Sequence, residues 1–288
     1  MRKAWKVCRT AYREWLFRQQ TLMIFPILIF LYINVIEPMQ YYADVMQTPL
    51  NLLEPYLCIL NSVYAVPLLP LSYLFLFAGY PKLTGASVHQ LYRTGKRTWY
   101  FGQCMFLLLA ICTFLICIFA FSCVFVTDRA FLANGWSIAA RQIHSTVYRD
   151  LDLQSGTAVI DLSVLNQIRP YGALWQCTAL QILYMCIAAL IDFCFTLCGH
   201  KLAGVLVNLV TAGLGLFLLL SDTPFKWLMP AAHAVFSGHF DGVLSTVYTP
   251  VRLSFLYDGI LLAVLFAIGF HAVRRCSLMT VLHTEGGR

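Results

Sequence analysis

Long apolar runs separated by short, turn-rich polar stretches organise this chain. Apolar positions are nearly continuous over roughly Gln20 to Ile36, Leu57 to Tyr80, Phe101 to Val126, Trp175 to Cys198, Leu202 to Leu220 and Leu253 to Val273. About 20 apolar residues at ~1.5 Å each match the ~30 Å hydrocarbon core of a bilayer, so the pattern predicts about six transmembrane helices. The first run is short, and the chain from Trp15 is expected to feed directly into it; Glu37 and Pro38 mark its outer end. Pro67 and Pro70 should kink the second run. A further apolar segment between Pro224 and Gly238, with Trp227, Met229 and Phe236, is too short to cross and reads as re-entrant or interfacial.

The polar stretches carry their own helical patterns. Residues 1–19 hold Arg2, Lys3, Lys6, Arg9, Arg13 and Arg18, with Trp5, Cys8, Tyr12, Trp15 and Leu16 recurring at three- and four-residue spacing. That predicts a basic amphipathic helix on the cytoplasmic surface, retained because no small-residue cleavage site follows the apolar core. Within 81–100, Ser87 and Gln90 have the form of a capping box, which predicts a short helix from Val88 through His89, Leu91, Tyr92 and Arg93, closed by Gly95. The bland reading of the same residues is an ordinary basic loop. Lys96, Arg97 and Trp99 then stand where interfacial anchors are expected. In 127–174, Asn134-Gly135 predicts a turn, followed by a helix carrying Trp136, Ala140, Ile143, Val147 and Leu151 and a second from Leu162 to Arg169, together an external cap. Asp150, Asp152 and Asp161 read as its solvated face. Residues 222–252 form the last external or re-entrant stretch.

Composition names the solvent. Of 288 residues 60% are apolar and 11% charged, with a mean hydropathy of +0.72, against roughly 25% charged residues in soluble domains. The expected fold is a single all-α polytopic membrane domain over 1–288. With both termini inside, cytoplasmic segments hold 14 of the 20 Lys and Arg residues, and external segments hold 9 of the 13 acids, which satisfies the positive-inside bias. The net charge of +7 therefore sits at the membrane edges and points to lipid headgroups, not to nucleic acid. Most of the 11 cysteines lie inside apolar runs, where a thiol packs as a small hydrophobe; Cys58 and Cys177, near predicted external ends, are the one pair that could bridge.

Few residues carry chemistry. Around Gly95-Lys96 a phosphate-binding loop would need Ser or Thr next and Gly five residues earlier, but Arg97 and Gln90 stand there; His-Glu-x-x-His and Gly-x-Ser-x-Gly are missing. No catalytic residue, metal site or bound cofactor is expected in this chain. Asp192 and Asp258 are the acids within spans, about 15 Å apart in depth by helix rise, too far for a carboxylate dyad. Each reads as an interhelical hydrogen-bonding group or as part of a pathway. Asp192 joins Pro67 and Pro70 as a pathway candidate, because a kinked helix frees carbonyls toward a cavity. Gly204, Asn208 and Ala212, four apart, form a small-residue stripe suited to close helix or dimer packing.

The order of these features resembles the membrane subunit of bacterial type-2 ATP-binding-cassette exporters. Arg93-Thr-Gly-Lys-Arg-Thr-Trp-Tyr-Phe-Gly-Gln103 is similar to the run preceding their third span, and Arg169-Pro-Tyr-Gly-Ala-Leu-Trp-Gln176 resembles the start of their fourth. The resemblance implies a permease subunit in the cell membrane, paired with itself or a paralogue, with ATP and Mg bound by a separate cytoplasmic ATPase. It implies that Val88, His89, Leu91, Tyr92 and Arg93 form a coupling helix to that ATPase. An amphipathic or lipid-like substrate, or a peptide, would move outward. The external segment 127–174 is longer than in the best-known exporters. The rival expectation is a membrane scaffold that assembles a partner complex without transporting anything.

Overall fold

The computed structural model describes residues 2–62, 65–77, 85–143, 160–240 and 249–275. It is an all-α polytopic membrane protein. Five helices are long and apolar enough to cross a bilayer: α2 (Gln19–Val45), α6 (Lys96–Val126), α9 (Pro170–Leu197), α10 (Lys201–Leu220) and α12 (Val251–Arg275). A bent pair, α3 (Glu54–Asn61) and α4 (Ala65–Leu76), makes a sixth if read as one broken span.

The expected kink of the second span is larger than a proline kink and sits elsewhere. The axes of α3 and α4 differ by 89°, and the turn comes at Ser62, whose backbone is extended, ahead of Pro67 and Pro70. Ser62 Oγ accepts the Ala65 amide at 3.2 Å and so caps α4. Pro67 then falls in the first turn, where its missing N–H leaves no hydrogen bond unmade. The first span also departs from expectation. It does not stop at Glu37-Pro38 but runs on to Val45 through a wide π turn at Tyr32–Ile36. A wide turn just before Pro38 relieves the clash its ring would make with the preceding turn.

The amino-terminal helix α1 (Arg2–Leu16) is amphipathic, but its buried face is Ala4, Val7, Cys8, Ala11 and Trp15, while Trp5 and Leu16 are exposed. Small residues win because α1 lies directly on α6. A β-carbon on Gly102 would stand 2.7 Å from Val7 Cβ and 2.8 Å from the Ala4 carbonyl oxygen. Tyr12 and Thr113 hydroxyls meet at 2.9 Å, and Trp15 stacks on Phe77 and edges Phe106.

On the external side, two-residue strands β1 (Leu50–Asn51) and β2 (Ala130–Phe131) pair in parallel. Glu54, fully buried, accepts the amides of Asn51 (3.0 Å) and Ser137 (2.6 Å). Asn51 donates to the carbonyls of Ala133 and Gly135 at 2.6 and 2.8 Å. Glu54 thus bolts the loop that carries β1 to the loop that follows β2. Of the two helices predicted over 127–174, the described residues hold α7 (Ile138–Gln142), capped by Ser137 and starting only after Trp136, and α8 (Leu162–Gln167), capped by Asp161. The positions Val147, Asp150, Leu151 and Asp152 lie outside the described residues. Cys58 and Cys177 are both free and buried.

Candidate functional site

The predicted coupling helix is α5 (Gly85–Thr94), which begins two residues before Ser87, so Ser87 is not its cap. Gly95 closes it with φ +83°, a conformation L side chains rarely adopt, and α6 starts at once. The side chains of Val88 and His89 lie outside the described residues. Leu91 is only 7% exposed, whereas Tyr92 is 70% exposed and Arg93 lies beside it in solvent. Leu91 is therefore no outward anchor, a correction with a simple cause: it is the apolar side chain that closes a cluster at the end of the bundle where α6 begins and α12 ends. The cluster joins Val7 of α1, Trp99 and Tyr100 of α6, Leu190, Phe193 and Leu197 of α9, and Val273 of α12.

Trp99 is corrected in the same way. It is buried, with its ring 6.2 Å from Phe193, and faces the protein instead of lipid. Burial of its large ring against α9 outweighs the unpaired indole N–H. Tyr100 stacks on Phe193 and donates to the Phe266 carbonyl at 2.9 Å. Lys96 is half-buried and Arg97 exposed in the first turn of α6. The Lys96 ammonium donates to the Arg274 carbonyl at 3.1 Å, and Arg97 and Arg274 lie 5.9 and 4.5 Å from the Phe270 ring.

The small-residue stripe packs within the chain. Gly204, Asn208 and Ala212 are buried on α10, and a β-carbon on Gly204 would meet Asp192 at 2.9 Å and Phe195 at 3.0 Å on α9. Asn208 donates to the Ala188 carbonyl at 3.0 Å and to the Gly204 carbonyl at 3.1 Å. One turn on, Gly215 lets Ala231 of the short helix α11 (Pro230–Ala234) approach. The stripe therefore closes the α9–α10 hairpin, and the opposite face, with Leu202, Leu206, Leu209 and Phe217, is left exposed.

The pathway candidates do not converge. Pro67 and Pro70 are buried in α4. Asp192, half-buried, lines a cavity of about 10 Å3 with Tyr73, Gln103, Phe106 and Phe193, room for about one water.

A polar layer that sequence reasoning missed lies where the non-spanning segment from Pro224 to His239 meets α12. Ser254 donates to His233 Nδ1 at 2.7 Å, and His233 Nε2 donates to the Trp227 carbonyl at 2.8 Å. His233 also stacks on Tyr257, with ring centres 4.1 Å apart. Burial holds the His233 pKa down at about 4, so the ring is neutral at pH 7 and this one tautomer satisfies both nitrogens. His239 faces two carbonyls, Thr249 at 2.7 Å and His233 at 3.0 Å, and burial lowers its pKa as well. Lys226, itself buried, pairs with Asp222. Asp258, one helical turn beyond Ser254, is 0% exposed, and neither carboxyl oxygen has a hydrogen-bond partner among the described residues; the same holds for both amide atoms of Gln181 on α9. No spacing in the sequence links His233 to Ser254, 21 residues apart, but a Gln and an Asp inside apolar runs are a signal that could have been followed further.

Comparison with known proteins yields no match: no family model, no curated protein and no solved structure is significantly similar to this chain.

Proposed function

We propose that this chain is the permease subunit of a type-2 ATP-binding-cassette exporter in a bacterial cell membrane. In this reading it moves an amphipathic or lipid-like substrate with ATP hydrolysed by a separate cytoplasmic subunit. The observation that carries the proposal is the mounting of α5. Its inner side chain, Leu91, is set in a cluster with α1, α6, α9 and α12, while Tyr92 projects into solvent beside Arg93. A helix held this way passes a push from outside to α1 and three membrane helices at once, because a close-packed cluster transmits displacement without absorbing it. Tyr92 is the anchor type that protein interfaces favour. On this reading a second copy or a paralogous permease completes the path, since the pathway candidates within one chain do not meet.

The test separates the two neighbours. Tyr92→Ser should leave stability within about 0.5 kcal/mol, as for an exposed surface change, yet abolish pull-down of a co-expressed ATPase and its stimulated hydrolysis. Leu91→Ser should destabilise the membrane domain itself, by about 2–5 kcal/mol as for a large apolar residue removed from a core. Wild-type pull-down and hydrolysis in Tyr92→Ser would remove the coupling role and leave the scaffold reading.

A further inference from the structure

At the cytoplasmic end, an open groove of about 550 Å3 lies between the start of α6 and the end of α12, lined by Gly95, Lys96, Arg97, Thr98 and Arg274. Three of its five lining residues are cations and none is an acid. The two guanidiniums lie 5.9 and 4.5 Å from one ring, Phe270, which holds them near each other. The Lys96 bond to the Arg274 carbonyl ties the two helices together along one wall. Beside Gly95 the groove is open: no atom beyond its chain neighbours lies within 4 Å of where its β-carbon would be.

We propose that this groove binds the phosphate headgroup of one anionic phospholipid, which braces α12 against α6 beside α5. The position selects the ligand. The groove opens where two apolar spans end in Lys and Arg, the level at which headgroups of the cytoplasmic leaflet lie. Its volume is larger than a phosphoglycerol group and leaves room for that group with water. Arginines arranged as a pair suit phosphate, because each presents a planar fork of donors to the phosphate oxygens. The acyl chains of such a lipid would continue along the exposed apolar residues of the same helices, Phe101 and Met105 on α6 and Ile268 on α12. The inference does not rest on the transport reading, and its test needs only this protein.

Purified protein in phosphatidylcholine micelles is titrated with dioleoyl phosphatidylglycerol, with bound lipid counted by native mass spectrometry and stability followed by thermal unfolding. One tightly held phosphatidylglycerol and a raised melting temperature are expected. Arg97→Gln with Arg274→Gln should weaken that lipid about 30-fold, at roughly fivefold per cation. Thr98→Glu guards against misfolding: a carboxylate in the first turn of α6 favours the helix, so the protein should be at least as stable in phosphatidylcholine yet lose the phosphatidylglycerol effect. Arg2→Gln with Arg9→Gln, on the exposed face of α1, should leave the bound lipid in place. Equal binding of the two lipids would overturn the proposal, as would retention in Thr98→Glu or equal loss in the α1 variant. Displacement of the lipid by millimolar inorganic phosphate would identify a free-anion site and overturn it too.

Discussion

Gly102 holds the amino-terminal helix on the bundle, and replacing it tests how tightly. In Gly102→Ala the new methyl would lie 2.7 Å from Val7 Cβ and 2.8 Å from the Ala4 carbonyl oxygen, closer than packed atoms come. Neither neighbour is the free end of a flexible chain, so α1 must move as a body. Two effects compete. Alanine in a helix interior gains about 1 kcal/mol over glycine, while overpacking costs about 1–3 kcal/mol. Gly213→Ala isolates the first effect, because nothing lies within 4 Å of that position on the exposed face of α10. Gly213→Ala should therefore be neutral or stabilised by up to about 1 kcal/mol, and Gly102→Ala should lie about 1–3 kcal/mol below it. The assay is unfolding in mixed micelles by increasing dodecyl sulfate, followed by helical circular dichroism. Limited trypsin digestion at Arg9 and Arg13 reports α1 directly, and only Gly102→Ala should be cut faster. Equal midpoints and equal cleavage in the two variants would refute the close contact.

Three further outcomes follow from buried polar groups. Asp258→Leu should stabilise the protein by about 1–3 kcal/mol, the cost of an unsatisfied buried polar group; a loss of stability would mean that the carboxyl has a partner after all. Asn208→Ala should cost about 0.6 kcal/mol, a typical interhelical hydrogen bond in a membrane, and no more than about 1.7, with a larger loss pointing to a role beyond the bond to Ala188. His233 has a folded pKa of about 4, lower than its unfolded value of ~6.5, so the unfolded chain binds more protons between these values. Its contribution is fully present above pH ~6.5 and is lost toward pH 4 at about 1.4 kcal/mol per unit. His233→Gln should flatten that slope in a pH series of unfolding midpoints, and an unchanged slope would assign the acid sensitivity to other groups.

Span positions were legible in the sequence, because the cost of placing a residue in hydrocarbon belongs largely to the residue itself. The helices α6, α9, α10 and α12 begin and end within about five residues of the limits their apolar runs set. Gly95 was readable for a similar reason, since few residues but glycine adopt its φ of +83°. Which face of each helix turns inward was decided only by tertiary contact. In a chain where nearly every position of a span is apolar, periodicity is nearly flat, and close packing chooses the face. Hence Leu91 and Trp99 are core residues beside exposed Tyr92 and Arg97, and the face of α1 shifts to its smaller side chains to fit Gly102. Glu54 and the His233–Ser254 pair depend on groups 83 and 21 residues away in the chain. Such partners meet only once the loops and spans have packed, so no local spacing records them.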